Sequence, residues 1–447
     1  MTTEPRPDKV EPSIASPSSE NQNTMWPTWM IIMMIIGYAG YYLCRSHFSV
    51  TKPLILEQYK SVGVTKETLG IVAAWGTLCY AAGKFFFGSL ADLLGGRRMF
   101  LLGMIGAIVF TVCFGLAGPP MFMAAWIGNR FIQASGWVGM VKMTSRWFSH
   151  STYGRVMGYI SLSYLFGDFL SRLFLSKLVD MKISWQQIFF ISAAILACIL
   201  VPTYMVIRDR PTDRGLPEPE ANPESLFLEK ELQKEQVKFG ELLKPLLTSF
   251  TFWVVCALSF GFTFMRETFN DWTPTYLHEG AKLTKANAGY ASSLFPLFGG
   301  FSVIAVGYLS DKLGRGGRAL MVAGGLLIGT AGLLYLAHGD LAGKKMLVVG
   351  LVALIGFVLI GPYSLLAGAI SLSFGGKQGS ATACGWIDGV GYIGGILSGN
   401  LIGAIAEHQG WAPAFNVLAI TAGISFFVAL VYWFVEKDRK TLFTADA

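Results

Sequence analysis

Two copies of one loop motif decide the fold of this chain. The first copy reads Gly88-Ser-Leu-Ala-Asp92-Leu-Leu-Gly95-Gly-Arg97-Arg98, and the second reads Gly307-Tyr-Leu-Ser-Asp311-Lys-Leu-Gly314-Arg315-Gly-Gly-Arg318. Each copy follows an apolar segment, and the two copies begin 219 residues apart. In such a motif glycine allows close helix approach, aspartate caps a helix or pairs with arginine, and basic residues hold the loop on the cytoplasmic side. The repeat therefore predicts two equivalent halves.

The composition excludes an ordinary soluble enzyme. Of the 447 residues, 53% are hydrophobic and 14% are charged, and the mean hydropathy is +0.50. A single core of this length cannot hide so much apolar surface, so we expect an integral protein of the lipid bilayer. The formal net charge of +7 does not indicate nucleic-acid binding, because the basic residues lie mostly in short loops between apolar segments.

Apolar segments long enough to cross about 30 Å of hydrocarbon recur along the whole chain. They lie near residues 27–52, 66–91, 98–118, 121–147, 154–177, 186–207, 248–277, 286–310, 319–338, 344–373, 378–406 and 411–435. We therefore predict an all-α membrane protein with twelve transmembrane helices in two pseudo-symmetric six-helix halves.

A long polar connector divides the twelve segments into six and six. We expect a disordered cytoplasmic tail at 1–24, an N-terminal half at 25–207, a cytoplasmic linker at 208–247, a C-terminal half at 248–437 and a second cytoplasmic tail at 438–447. Lysine and arginine concentrate at alternate ends of the apolar segments, which places both termini and the linker in the cytoplasm.

Ionisable residues in the middle of apolar segments carry the functional information. Each costs a few kcal/mol or more in hydrocarbon, so each is expected to face a cavity or a partner. These residues are Arg45, Lys84, Arg130, Lys142, Asp168, Arg172, Arg266, Asp271 and Asp388. Asp168 and Arg172 are four residues apart on one predicted helix, which favours an ion pair between them.

Arg45 and Arg266 lie 221 residues apart, within two residues of the offset between the motifs. They therefore occupy equivalent positions on the first helix of each half, and the pseudo-symmetry sets them facing each other across a cavity. The planar guanidinium matches the oxygens of phosphate or carboxylate, so the pair predicts a receptor for a compact anion, most naturally a phosphoryl group. The alternative is a local pair between Arg266 and Glu267 or Asp271.

The motifs and the division into halves resemble the major facilitator superfamily, which implies two parallel six-helix halves around a cavity that opens alternately to each side. Six further segments are informative, namely Gly37-Tyr38-Ala-Gly-Tyr41-Tyr42-Leu-Cys-Arg45, Tyr80-Ala-Ala-Gly-Lys84, Gln133-Ala-Ser-Gly-Trp137, Arg266-Glu-Thr-Phe-Asn270-Asp271-Trp272, Gly361-Pro362-Tyr363 and Gly391-Tyr392. These segments resemble the organophosphate:phosphate antiporter family of glycerol-3-phosphate and hexose-phosphate transporters and sugar-phosphate exchangers.

The resemblance implies roles for particular side chains. Arg45 and Arg266 would bind the phosphoryl group, Lys84 would lie nearby, and aromatic residues would shape the pocket, namely Tyr38, Tyr42, Tyr80, Trp137 and Tyr392. Asp388 has two open interpretations: it accepts hydrogen bonds from substrate hydroxyls, or it pairs with Lys84 or Lys142. Glycerol-3-phosphate transporters carry a histidine in the middle of the fifth segment, where this chain has Ser163, which disfavours glycerol 3-phosphate as the substrate.

The charged residues of the two motifs are expected to stabilise one conformational state. They are Asp92, which would meet Arg97 or Arg98, and Asp311, which would meet Arg315 or Arg318.

We therefore expect a monomeric inner-membrane transporter, not an enzyme and without a cofactor or metal. It would exchange an organic phosphate, such as a sugar phosphate, glycerol phosphate or phosphoglycerate, for inorganic phosphate. One alternative is a transporter-like sensor of sugar phosphate. The other is a proton- or sodium-coupled symporter of organic anions that uses Asp388 or His47 for coupling.

Overall fold

The structure is a computed structural model that describes residues 25–64, 66–220, 222–223, 225–229, 239–283, 287 and 291–444. This part of the chain is helical apart from its turns and connections and contains no β-strand. The predicted tail at 1–24 and most of the middle of the linker lie outside the described residues. The first residues of the predicted C-terminal tail continue the last helix, which ends at Thr444.

Six long helices form the first half of the chain. They are α1 (Trp26–Gln58), α2 (Lys66–Leu94), α3 (Gly96–Leu116), α4 (Phe122–Trp147), α5 (Tyr153–Asp180) and α6 (Trp185–Val206). Local sequence sets some of these boundaries. Pro27 stands in the first turn of α1, where a missing N–H costs nothing. Ser184 and Gln187 form a capping box at the start of α6.

The second half begins with a short helix at the end of the linker. Its helices are α7 (Phe239–Leu247), α8 (Phe250–Glu279), α9 (Leu294–His338), α10 (Lys345–Leu365), α11 (Ser371–His408) and α12 (Trp411–Thr444). The 45-residue α9 contains two apolar stretches, Leu294–Leu313 and Gly316–His338, each long enough to cross a bilayer. A π-helical turn, Leu366–Ile370, joins α10 to α11.

Length and hydropathy identify eight candidate spans among the described residues, or nine with the bent pair α7–α8. One of the eight, Lys345–Ala406, has 62 residues and covers both α10 and most of α11, so it is long enough to cross twice. Helices α4 and α5 complete the predicted twelve spans. They are less apolar because they carry polar side chains that are buried inside the protein, such as Asn129 and Lys142.

The two halves pack closely at the end of the bundle that carries both motifs and the linker, which we call the basic end. Helix α2 contacts α11 there, and α5 contacts α9. A Cβ atom on Gly88 would lie 2.8 Å from the carbonyl oxygen of Ala381, and one on Gly307 would lie 2.7 Å from that of Gly154. The motif glycines therefore lie where the backbones of the two halves approach closely.

Each motif aspartate caps a helix segment of the opposite half. Asp92 accepts hydrogen bonds from the backbone N–H groups of Ala381 (3.3 Å) and Thr382 (2.7 Å), just after α11 is broken at Gly376. Asp311 accepts hydrogen bonds from Gly154 and Arg155, both at 2.7 Å, at the start of α5. A carboxylate at a helix start is stabilised by free N–H groups and by the helix dipole. These two caps close the basic end.

The linker spans both halves at the basic end. Near its start, Asp209 accepts a 3.0 Å hydrogen bond from the backbone N–H of Arg97 in the first half. Further along, the N–H of Leu226 donates to the carbonyl oxygen of Phe374 in the second half at 2.9 Å, and the Phe227 side chain is buried. The linker therefore contacts both halves and helps to hold them together in this state.

We expect Gly88→Leu to open the basic end. The added side chain would overlap the backbone of α11, and overpacking of this kind costs about 1–3 kcal/mol. The Oγ atoms of Ser145 and Ser380 lie 3.0 Å apart across the halves, so a cysteine pair at these positions, with the native cysteines replaced, reports closure by its yield of disulfide. Gly324→Leu, at a helix position with open space around it, is the matched control. An unchanged disulfide yield in Gly88→Leu would contradict this account.

Candidate functional site

One cavity between the halves contains all nine of the predicted substrate-binding residues. The cavity has a volume of about 420 Å³, which includes space open to solvent. The lining residues are Tyr38, Tyr42, Arg45, Tyr80, Lys84, Trp137, Ser161, Tyr164, Arg266, Tyr363, Ser364, Ala367, Asp388 and Tyr392. Both halves contribute, and almost all of the polar groups come from the middle of apolar helices.

A break in α1 positions Arg45. The backbone at Cys44 leaves the helical conformation (φ −87°, ψ 15°), and its carbonyl oxygen accepts a 2.8 Å hydrogen bond from Nε2 of Gln133. The other end of the same amide, Oε1, accepts from Nε of Arg45 at 3.3 Å. Gln133 therefore holds both the break and the guanidinium from the neighbouring helix α4.

The other two hydrogen bonds of Arg45 go to tyrosines. Its Nη1 lies 3.2 Å from the Tyr42 hydroxyl and its Nη2 lies 3.3 Å from the Tyr80 hydroxyl. Its Cζ also lies 4.7 Å and 4.9 Å from the centres of those two rings. Within the described part of the chain, the hydrogen-bond partners of Arg45 are all neutral. Its positive charge is held in the cavity without a carboxylate.

Arg266 occupies a different electrostatic environment. Its Nη2 lies 2.5 Å from Oε1 of Glu267 and 3.3 Å from the Tyr392 hydroxyl, and its Cζ lies 4.5 Å from the centre of the Tyr363 ring. The local pair with Glu267, one of the two sequence-based alternatives, is therefore present. Its Nε is buried and makes no hydrogen bond in the described structure, so part of its donor set is free. The two arginines share the cavity, but only one has an acidic partner.

An ion pair joins the halves in the wall of the cavity. Lys84 on α2 and Asp388 on α11 lie 2.7 Å apart, and their side chains are 2% and 6% exposed. Beside them, the rings of Tyr80 and Tyr392 pack edge to face with centres 5.0 Å apart. Of the two pairings predicted for Asp388, the structure thus contains the one with Lys84, while Lys142 pairs with Asp92.

The charges of the first motif pair differently from the sequence prediction. Asp92 forms a 2.7 Å ion pair with Lys142 of α4, not with Arg97 or Arg98. Arg97 instead donates to the carbonyl oxygens of Ile207 and Tyr204 near the start of the linker. The reason is the direction of the side chain: Asp92 points toward the interface between the halves, where it meets Lys142 of α4 in its own half and the backbone of α11 in the other half.

In the second motif, one of the two predicted pairings of Asp311, that with Arg318, is present. Nη2 of Arg318 lies 3.8 Å from Oδ1 of Asp311, and Nη1 of Arg318 donates to the Ser373 hydroxyl at 2.9 Å. The side chain of Arg315 lies outside the described residues. Arg98 is exposed at the surface of the basic end.

Two other residues named in the sequence analysis, His47 and Ser163, do not line the cavity. His47 is fully buried in the first half, stacked on Phe189 with ring centres 3.9 Å apart and bonded to Thr111 at 3.2 Å. Ser163 donates to the carbonyl oxygen of Ile160 within its own helix at 2.5 Å. Its neighbour Tyr164 faces the cavity instead.

Sequence reasoning gave no role to several residues that build the site. Gln133 and Tyr363 lie within segments quoted for the family resemblance, but nothing in their type or spacing indicated which cation each would contact. Tyr164 gave a weaker signal still. Partners on different helices are brought together by packing, which spacing along the chain does not encode.

The protein is therefore a membrane bundle whose two halves enclose a polar cavity that is closed at the basic end. The family model of the Major Facilitator Superfamily matches residues 34–399, and the chain belongs to that superfamily. It is accordingly a multi-pass membrane transporter protein, not an enzyme.

Curated relatives match over nearly the whole chain. It is 27% identical to a "probable hexose phosphate transport protein" of Chlamydia trachomatis, covering 93% of this chain and 92% of that protein. It is 27% identical to the glycerol-3-phosphate transporter of Bacillus subtilis, covering 92% and 93%. It is 24% identical to the membrane sensor protein UhpC of Escherichia coli, covering 93% and 94%.

Solved structures show the same fold at low sequence identity. The human organic anion transporter MFSD10 superposes with a TM-score of 0.70 at 13% identity, covering 90% of this chain and 99% of that one. The transporter FucP in its outward conformation gives 0.67 at 12% identity, covering 90% and 98%. These likenesses confirm the predicted fold of two six-helix halves.

We expect Asp388→Asn to destabilise the protein by about 3–5 kcal/mol, because it leaves the buried ammonium of Lys84 without its partner. Thermal unfolding of the detergent-purified protein measures this. The double variant Lys84→Met/Asp388→Leu removes both charges and should recover most of the lost stability. If the double variant were as unstable as the single one, the pair would not be the source of the effect.

Proposed function

We propose that this chain exchanges an organic phosphate for inorganic phosphate across the inner membrane, with the phosphoryl group held between Arg45 and Arg266. The observation that supports this most directly is the free charge of Arg45. Its guanidinium lines the cavity, and its hydrogen-bond partners in the described structure are neutral amide and hydroxyl groups. A planar cation of this kind is suited to two oxygens of a phosphoryl group.

The charge balance of the cavity favours an anion over a neutral sugar. Lys84 and Asp388 neutralise each other, and Arg266 is paired with Glu267. Arg45 remains, so the lining of the cavity carries excess positive charge inside a low-dielectric bundle. An unpaired buried charge is costly, and a bound anion removes that cost.

The free-energy cost of an unpaired buried charge would also make the exchange obligate. In this mechanism the halves rock past each other readily only when an anion neutralises the cavity. Inorganic phosphate and an organic phosphate share the group that does so, so either one allows the return step. The basic end would face the cytoplasm, in agreement with its lysines and arginines, and the caps made by Asp92 and Asp311 would stabilise the state closed on that side.

The relatives support the substrate class. Two of those named above are described as transport proteins for hexose phosphate and glycerol 3-phosphate. The tyrosine hydroxyls around Arg45 and the Asp388 carboxylate are suited to the hydroxyl groups of the organic part. We infer a monomer, in which one chain contains the whole cavity.

A sensor of sugar phosphate is the second candidate, because one relative of similar identity is described as a membrane sensor protein. A sensor would bind organic phosphate without moving it. A symporter coupled through His47 or Asp388 is less favoured, because His47 lies in the core of the first half and Asp388 is paired with Lys84.

We expect Arg45→Lys to reduce exchange of labelled phosphate in proteoliposomes by at least about tenfold, because lysine cannot make two parallel hydrogen bonds to a phosphoryl group. The wild type should show uptake that requires phosphate or an organic phosphate inside the vesicle. Lys345→Arg, an exposed cation at the start of α10, is the matched control and should leave exchange unchanged.

Three results would count against the proposal. Wild-type exchange in Arg45→Lys would exclude the guanidinium as the phosphoryl ligand. Uptake that follows a pH or sodium gradient and ignores internal phosphate would favour the symporter. Saturable binding without any transport would favour the sensor.

A further inference from the structure

A third arginine lies beside the phosphoryl site and has no role in the function proposed above. Arg130 on α4 is three residues from Gln133, on the side away from the basic end. The residue is 9% exposed, and its Nη1 is buried without a hydrogen-bond partner in the described structure. A buried guanidinium donor left unpaired is unusual and calls for a ligand or another explanation.

The Arg130 side chain packs against Tyr80 in the cavity wall, although Arg130 itself is not among the lining residues named above. Its Cζ lies 4.5 Å from the centre of the Tyr80 ring, and Tyr80 lines the cavity. The stem is placed by Gly76 of α2, where a Cβ atom would lie 3.0 Å from Cγ of Arg130. A Cβ atom there would lie still closer to Trp126, so the absence of a side chain at Gly76 makes room for both Trp126 and Arg130 between α2 and α4.

Tyr80 has three cations around its ring. The Cζ of Arg45 is 4.9 Å from the ring centre, the Nζ of Lys84 is 5.1 Å away, and Arg130 is the third. Lys84 is neutralised by Asp388. Arg45 and Arg130 are not paired with a carboxylate among the described residues, and the two ring distances limit the separation of their Cζ atoms to at most 9.4 Å.

Packing on aromatic rings explains only part of this arrangement. Arg130 does contact Tyr80, and Trp126 lies 6.0 Å from its Cζ, so cation–π attraction holds the group in place. That attraction does not use the in-plane N–H donors of the guanidinium, and it does not relieve the repulsion between two neighbouring cations. An anion placed between them would do both.

We propose that Arg130 forms a second anionic subsite next to the phosphoryl site, and that the transported organic phosphate carries a carboxylate group. This inference rests on the proposed function, in which Arg45 and Arg266 hold the phosphoryl group. The limit on the separation of the guanidinium groups suits a compact three-carbon molecule with a phosphate at one end and a carboxylate at the other. Among the substrates predicted from the sequence, this selects the phosphoglycerate class.

A matched pair of ligands tests the subsite. 3-Phosphoglycerate and glycerol 3-phosphate both carry a phosphoryl group on a three-carbon chain, but only the first has a carboxylate. In counterflow against internal inorganic phosphate, the wild type should prefer 3-phosphoglycerate. Arg130→Gln should weaken the apparent affinity for 3-phosphoglycerate by about tenfold or more, since it removes charge-assisted hydrogen bonds, and should leave phosphate–phosphate exchange and glycerol 3-phosphate unchanged.

Two further variants separate a binding role from a structural one. Arg130→Lys keeps the charge and should retain part of the preference. Lys312→Gln removes a cation that lies 4.6 Å from the centre of the Tyr308 ring, outside the cavity. It should leave the apparent affinity for both ligands unchanged. Equal weakening of both ligands and of inorganic phosphate in Arg130→Gln would overturn the proposal, and so would a wild type that does not distinguish the two ligands.

A measurement of direct binding tests the subsite independently of the proposed exchange function. Thermal stabilisation of the purified wild type by 3-phosphoglycerate, lost in Arg130→Gln, would support the subsite even if no exchange were found, and only the exchange function would then fail. Phosphate exchange with no selective effect of Arg130→Gln would leave the proposed function standing and refute the subsite. Absence of both binding and exchange would refute both.

Discussion

The free energy needed to hold a charged side chain inside a bilayer governs this structure. Each cation buried in the bundle must find a carboxylate, a hydrogen-bonding surface or a ligand. Lys84 and Lys142 find carboxylates, Asp388 and Asp92, on other helices. Arg45 finds neutral acceptors only. The contrast between the paired lysines and the unpaired arginine is what gives the cavity its expected preference for an anion.

The same carboxylates link the site to the closed end of the bundle. Asp92 binds Lys142 and the start of a segment of α11, and that helix carries Asp388 into the cavity wall about two turns further on. On the other side of the pseudo-symmetry, Asp311 holds the start of α5, which carries Tyr164 to the cavity. The helices that close the basic end therefore also contribute side chains to the cavity, so we expect closure and binding to be coupled.

Sequence reasoning predicted the fold and the members of the cavity well, because both depend on features that are local or repeated. Apolar length identifies spans, and the equal offsets of the motifs and of Arg45 and Arg266 identify equivalent positions. The pairing of charges was predicted less well: Asp92 was expected to meet Arg97 or Arg98, which are close to it in sequence. It binds Lys142 because helix packing brings α4 beneath it, and the chain gives no local sign of that contact.

By itself, the sequence determined that the protein is a two-half membrane bundle, since hydropathy and repeat spacing are properties of the chain alone. It also predicted intramembrane charges in a cavity, and four of them, Arg45, Lys84, Arg266 and Asp388, line it. Only the tertiary structure decided which charges cancel and which remain. Arg266 is paired with Glu267, its neighbour on the same helix, whereas Arg45 meets only neutral groups among the described residues. Contacts between helices far apart in sequence place Arg130 and Arg45 around the ring of Tyr80. Burial makes those contacts decisive, because in a low dielectric an unpaired charge dominates the energy of the site.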